Sequence, residues 1–92
     1  MSKGVERFLS ADGVVQVWPS KQVDKQLVCE YLATKFEFQQ IYDEHSINNV
    51  LKAWHSFSDW PLLRRELYER GLLSRNNDGS HYQRVAPKEA GK

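Results

Sequence analysis

Residues 58–71 constrain the fold more than any other segment, because residues that start and stop helices mark both ends. Asp59 is of a type that caps helix N-termini, and Pro61 is compatible only with a first helical turn. Gly71 fits the position just after a helix, where a left-handed backbone conformation is common. The sequence therefore predicts a short helix over residues 60–70.

A β-hairpin is predicted to follow this helix. Residues 72–75 and 80–85 are interpreted as two strands, because Asn76-Asn77-Asp78-Gly79 between them contains the residues that tight turns need. Ile41-Tyr42 is a further β-prone pair, which is predicted to join the hairpin in one small sheet.

Two more helices are predicted upstream. Apolar residues recur at helical spacing over residues 21–36, with Ser20 as a candidate N-cap. Asp43 is predicted to cap the next helix, whose apolar stripe is Ile47, Val50, Leu51 and Trp54. Residues 8–18 surround the turn signal Asp12-Gly13 and are interpreted as a small hairpin or a single strand.

This order of elements predicts an α+β fold of the winged-helix type. Three helices would form a helix-turn-helix core, closed by a small antiparallel β-sheet whose hairpin loop is the wing, with the short N-terminal strand or hairpin added. Ninety-two residues allow one domain, predicted over residues 8–85. Residues 1–7 and 86–92 are expected to be flexible ends.

Composition limits the partners that such a domain can have. Thirteen basic and twelve acidic residues give a net charge of only +1, so any nucleic-acid surface is modest. The basic residues are concentrated in residues 62–85, which hold five arginines. No signal peptide or membrane-spanning run is present, and Cys29 is the only cysteine, so we expect a cytoplasmic protein without a membrane partner.

The sequence also resembles a known family, through residues spread from about Phe8 to Arg84. The most specific part is the motif LRREL, at residues 63–67, followed by GLL, an arginine, a glycine and a tyrosine. The residues that carry the resemblance are Phe8, Leu9, Gly13, Pro19, Ser20, Lys21, Tyr31, Leu32, Ala33, Phe36, Tyr42, Asp43, Glu44, Asn48, Leu51, His55, Asp59, Leu63, Arg64, Arg65, Glu66, Leu67, Gly71, Leu72, Leu73, Arg75, Gly79 and Tyr82. The chain thus resembles the bacterial domain-of-unknown-function family numbered 2087. The resemblance implies a winged-helix-like domain, in some members following a helix-turn-helix regulator domain, with no assigned enzymatic activity and no defined ligand.

The leading functional hypothesis is binding of double-stranded DNA in a regulatory role. Helix 60–70 would be the recognition helix and residues 75–84 the wing. The candidate contacts are Arg64, Arg65 and Tyr68 on the helix, and Arg75, His81 and Arg84 on the wing. At about 100° per residue Arg64 and Arg65 point in different directions, so Arg64 has an alternative role as the partner of Glu44 or Asp59. Glu66 and Glu69 weigh against DNA, because carboxylates repel phosphates.

A second set of polar residues is more typical of a structural hydrogen-bonded cluster than of a binding or catalytic site. Glu44, Asn48, His55 and Asp59 are expected to converge between the second and third helices as a satisfied polar cluster. A small ligand or anion pocket around Asn48 and His55 is the alternative. No spacing typical of a metal site, a catalytic site or a cofactor-binding loop is present, so none is predicted.

The alternative function is a non-catalytic interaction module. Trp60 and Leu62, together with Phe57, would form an exposed apolar patch if they lie outside the core. Such a patch would suit a protein partner or a homodimer.

Overall fold

The structure, a computed structural model, describes residues 3–85 of the chain. Its elements are α1 (Lys3–Glu6), α2 (Gln22–Ala33), β1 (Ile41–Asp43), α3 (Glu44–Trp54), α4 (Trp60–Glu69), β2 (Leu73–Arg75) and β3 (His81–Arg84). This is an α+β arrangement of helices and one small sheet. Residues 86–92, expected to be a flexible tail, lie outside the described residues. None of the helices within residues 3–85 combines the length and the apolarity needed to cross a membrane.

Local signals place α3 and α4 where the sequence predicts them. The Asp43 carboxylate accepts a hydrogen bond from the backbone N–H of Ser46 at 2.8 Å, and this bond holds the pKa of Asp43 below its usual value. Asp59 caps α4 in the same way, accepting from the N–H of Leu62 at 3.3 Å. Both predicted caps are therefore confirmed.

Gly71 ends α4 in the left-handed conformation that its position requires. Its φ is 79°, and its N–H donates to the carbonyl of Tyr68. The N–H of Leu72 reaches back to the carbonyl of Leu67 at 2.9 Å. This pair of bonds is a Schellman motif, which satisfies two terminal carbonyls and turns the chain directly into β2.

The first predicted helix differs from α2 at both ends. Ser20 is not its N-cap, because Lys21 holds that position in an extended conformation and makes no side-chain capping bond. The helix also stops at Ala33 and not at Phe36. The N–H groups of residues 34–36 bond three residues back, to the carbonyls of residues 31–33, so the chain tightens into a narrower turn before it leaves the helix.

The three strands form one antiparallel sheet in the order β1-β3-β2. Ile41 pairs with Gln83, and Tyr42 pairs with Tyr82, which confirms the predicted union of Ile41-Tyr42 with the hairpin. On the other side of β3, Arg75 pairs with Tyr82. Tyr82 is buried against the helices, so its neighbours along β3 face the other way.

The predicted N-terminal strand or hairpin is reduced to a single bridge between Leu9 and Val15. The turn at Gly13 forms, with its N–H bonded to the carbonyl of Ser10 at 2.9 Å. Two backbone hydrogen bonds flank this bridge, from the Ser10 N–H to the Val14 carbonyl and from the Gln16 N–H to the Phe8 carbonyl, both at 2.8 Å. The N–H and the carbonyl of Val15 point away from Leu9 and bond the Trp54 carbonyl and the Ser56 N–H, both at 2.9 Å. The short hairpin is therefore bonded on its outer side to the end of α3.

Val5 and Arg7, which precede the first residue of the predicted domain, contact the body of the fold. Val5 in α1 is 7% exposed and belongs to the core. Arg7 forms a 2.6 Å ion pair with Asp24 of α2, whose carboxylate is largely buried. The packing of α1 on α2 therefore brings these residues to the body of the fold.

His55 joins two helices at the turn between α3 and α4. It is 5% exposed and takes an extended conformation, with φ −144° and ψ 159°, which ends α3. Its ring Nε2 accepts a hydrogen bond from the backbone N–H of Asp59 at 2.9 Å, so Nδ1 carries the proton and donates to the carbonyl of Leu51. The ring thereby ties the last turn of α3 to the cap of α4.

Replacing His55 with Ala is expected to lower the free energy of unfolding by about 2–3 kcal/mol, because it removes a buried ring and leaves the Asp59 N–H without its acceptor. Urea unfolding followed by circular dichroism measures this loss. His45→Ala removes the same residue type from an exposed position of α3 and should cost less than about 0.5 kcal/mol. Equal losses in the two variants would contradict this role of His55.

Candidate nucleic-acid interface

A groove of about 450 Å³ runs between α4 and the β2–β3 hairpin. Four of the six predicted DNA-contact residues line it together: Arg64, Arg65, Tyr68 and Arg75. The first three come from α4 and the last from the end of β2. The short link through Gly71 brings these two elements together, and the groove is open to solvent along its length.

Arg64 lies at the edge of the groove but is occupied inside the protein. Its Nη1 donates to the Asn48 side-chain oxygen at 2.6 Å and lies 3.7 Å from the Glu44 carboxylate. Its side chain is only 22% exposed. Arg64 therefore ties α4 to α3, which is the structural alternative that the sequence suggests for it.

Arg65 is exposed, and among residues 3–85 its guanidinium has no hydrogen-bond, ion-pair or aromatic partner. The chain has six arginines, all within the described residues, and the other five are engaged. Their partners are Asp24 for Arg7, Asn48 and Glu44 for Arg64, Glu66 for Arg70, the Tyr68 ring for Arg75, and the Phe36 carbonyl for Arg84. Arg65 alone has no partner of any kind among these residues, so all of its donors are available to an external acceptor.

Arg75, at the end of β2, is held against α4 by an aromatic side chain. Its guanidinium carbon lies 4.4 Å from the centre of the Tyr68 ring, and Tyr68 is itself 40% exposed. The hydroxyls of Tyr82 and Tyr68 raise the pKa of the Arg75 guanidinium. Stacking fixes the plane of the group without neutralising its charge, so Arg75 is positioned to bind an anion.

Three carboxylates also line the groove, which limits its positive potential. Glu44 lies beside Arg64, and Glu69 follows Arg65 by one turn of α4. Asp78 is turned into the hairpin loop, where it accepts from the hydroxyl of Ser80 at 2.7 Å and from its N–H at 3.0 Å. These bonds lower the pKa of Asp78, so it stays ionised. Three arginines and three carboxylates thus give the groove no net formal charge.

His81 and Arg84 do not reach this groove. His81 lines a neighbouring depression with Ile41, Ser74 and Gln83, and this depression shares Arg75 and Tyr82 with the groove. Arg84 ends β3, far from the hairpin loop, where it donates to the Phe36 carbonyl at 3.2 Å and stacks on Phe38. The structure therefore brings together four of the predicted contacts and leaves these two outside.

The expected polar cluster divides into two groups. Glu44 and Asn48 meet Arg64 near the start of α3, whereas His55 and Asp59 meet each other at the turn after it. The reason is that α3 ends at Trp54, so His55 does not follow the helical rotation that would align it with Asn48. Within residues 3–85, no group of three potential metal ligands comes together.

The predicted apolar patch is largely taken up by packing. Phe57 and Trp60 are half-buried and contact the core, and the Lys52 ammonium lies 4.3 Å from the centre of the Trp60 ring. Leu62 is half-buried but is not packed against the core. The most exposed large apolar residues lie elsewhere, at Val23 and Ile41.

Five residues that line the groove were not among the predicted site residues, and three of them, Asp78, Gly79 and Tyr82, belong to the hairpin. The other two are Pro61 and Glu69 on α4. They lie one turn before and one turn after Arg65, so helical spacing from Arg65 was the signal that could have identified them. Arg70, by contrast, is a basic residue of this segment that does not line the groove. It adds to the basic character of the segment, but it is bound to Glu66 of its own helix and to Gln26 of α2, each at 3.0 Å.

Comparison with known proteins identifies the family. The chain belongs to the family described as "Uncharacterized protein conserved in bacteria (DUF2087)", whose model matches residues 14–84. The match covers most of the chain and includes both sides of the groove. No curated protein and no solved structure matches the chain.

Proposed function

We propose that this member of the family is a winged-helix domain that binds double-stranded DNA in a transcription-regulatory role. In this proposal α4 is the recognition helix, and residues 75–84, which include the β2–β3 loop, are the wing. The observed order supports it, because two consecutive helices joined by a short turn are followed by an antiparallel hairpin whose sheet β1 completes.

The packing of α4 also supports this role. Leu63 and Leu67 are fully buried on one face, whereas Pro61, Arg65, Tyr68 and Glu69 are exposed. A recognition helix needs such a division, because the buried face fixes its direction and the other face must enter a groove about 12 Å wide. The tie from Arg64 to Asn48 holds α4 on α3 while leaving that outer face free.

The main support for the proposal is that the Arg65 guanidinium has no bonding partner within residues 3–85. Surface arginines are ordinarily solvated, but here the other five arginines are all engaged and the unengaged one lies on the outer face of α4. Arg75 of the hairpin lines the same groove, stacked on Tyr68 of α4 at 4.4 Å. Two cations on two elements, facing one open groove, can contact a duplex at two points of its surface.

The charge distribution predicts modest affinity. The net charge is +1, and Glu69 and Asp78 lie close to the two cations. Each phosphate contact contributes about 0.9 to the slope of log affinity against log salt concentration, so one or two contacts give a shallow dependence. We therefore expect binding that is measurable at low salt and weak at moderate salt.

Replacing both Arg65 and Arg75 with Ala is expected to weaken duplex binding and to flatten its salt dependence by about one to two contacts, at about 0.9 per contact. Fluorescence anisotropy of a labelled duplex, measured across a salt series, gives the slope.

The matched control replaces Lys21 and Lys25 with Ala. This removes the same amount of positive charge from residues that do not line the groove. It should keep most of the slope. A double arginine variant with the slope of the unmodified protein would contradict the proposal, provided that its circular dichroism shows it folded.

The alternative function is self-association or the docking of a protein partner through Leu62 and Trp60. What favours it is Leu62, a large apolar side chain near the surface that does not pack on the core. If this surface closes a homodimer, sedimentation should show a dimer that Leu62→Asp abolishes without unfolding the domain. A monomer at all concentrations, or a dimer that survives in Leu62→Asp, counts against this surface.

A further inference from the structure

The outer face of α4 presents a specific order of chemical groups along its axis. Pro61 and Leu62 lie at its start, Arg65 lies one turn later, and Glu69 follows after another turn. We propose that Arg65 reads a guanine and that Pro61 and Leu62 contact the methyl group of a thymine one or two base steps away. This inference rests on the proposed function and specifies the DNA that α4 selects.

Arg65 is the arginine whose position suits a base edge. Guanine presents two acceptors, O6 and N7, in the major groove, and an arginine with free donors binds both at once. Arg64 cannot do this, since its guanidinium is held by Asn48 at 2.6 Å. Arg75 is stacked on Tyr68 on the wing side, where the sugar-phosphate backbone would pass between helix and wing.

Glu69 provides a second reason to assign Arg65 to a base. Its carboxylate is exposed one turn from Arg65, and the two form no ion pair within the described part of the chain. A phosphate placed against Arg65 would also approach this negative charge. A guanine edge carries no formal charge, so it meets Arg65 without that repulsion.

The residues before Arg65 complement a methyl group. Neither the Pro61 ring nor the Leu62 side chain offers a hydrogen bond, and apolar side chains recognise thymine through its methyl group. Residues three or four apart are separated by about 4.5–6 Å along the helix axis, at about 1.5 Å per residue. Successive base pairs are about 3.4 Å apart, so the thymine lies one or two steps from the guanine.

The test begins with selection of duplexes from a randomised library by the full chain at low salt, followed by sequencing. We expect enrichment of a guanine with a thymine one or two steps away. The selected duplex is then remade with 7-deazaguanine at that guanine, which removes N7, or with uracil at that thymine, which removes the methyl group. The first change should weaken binding by about 5- to 150-fold, and the second by about 4-fold.

Variants assign each effect to a side chain. Arg65→Lys keeps the charge but loses the planar pair of donors, so it should lose the discrimination against 7-deazaguanine. Leu62→Ala should reduce the effect of uracil, and Lys21→Ala, outside the groove, should change neither.

The outcomes separate the inference from the function on which it rests. Salt-dependent binding with no enriched sequence, or with equal affinity for the modified duplexes, overturns the base assignment and leaves DNA binding in place. No binding to any duplex at low salt overturns both.

Discussion

The direction of α4 depends on the hydrogen bonds of one buried imidazole. The His55 ring bonds the end of α3 through the Leu51 carbonyl and the start of α4 through the Asp59 N–H. On its other side, the backbone around it bonds Val15 of the N-terminal turn. Helix, cap and turn therefore form one connected unit. The groove depends on this unit, since a change in the angle of α4 would move Arg65 relative to the hairpin.

The arginines of this nearly neutral domain divide into two groups. Arg7, Arg64 and Arg70 each bind a carboxylate or amide oxygen on another helix, so they hold the helices together. In the proposed function, Arg65 and Arg75 would supply the charge that meets DNA. Because Glu69 and Asp78 line the same groove, affinity from charge alone would be low, and recognition would depend on the shape and the chemistry of the outer face of α4.

Signals confined to a few neighbouring residues predicted the fold well. The caps at Asp43 and Asp59 and the stop at Gly71 lie where the sequence places them, because each depends on backbone groups only a few positions away. Long-range partners were not predictable in this way. Val15 bonds residues near 55 and Arg84 bonds Phe36, and no periodicity reveals such pairs. All three contact residues predicted on α4 line the groove, because helical spacing brings them together. Of the three predicted on the wing, only Arg75 does, because the positions of His81 and Arg84 depend on long-range pairing.

We propose the groove between α4 and the hairpin as the surface that meets DNA. The sharpest test is a backbone-amide NMR titration of the labelled protein with a random duplex, at low and at moderate salt. We expect salt-sensitive shifts concentrated at residues 61–69 and 75–79, with residues 22–33 of α2 unaffected. No shifts at low salt, or shifts confined to other surfaces, would contradict it.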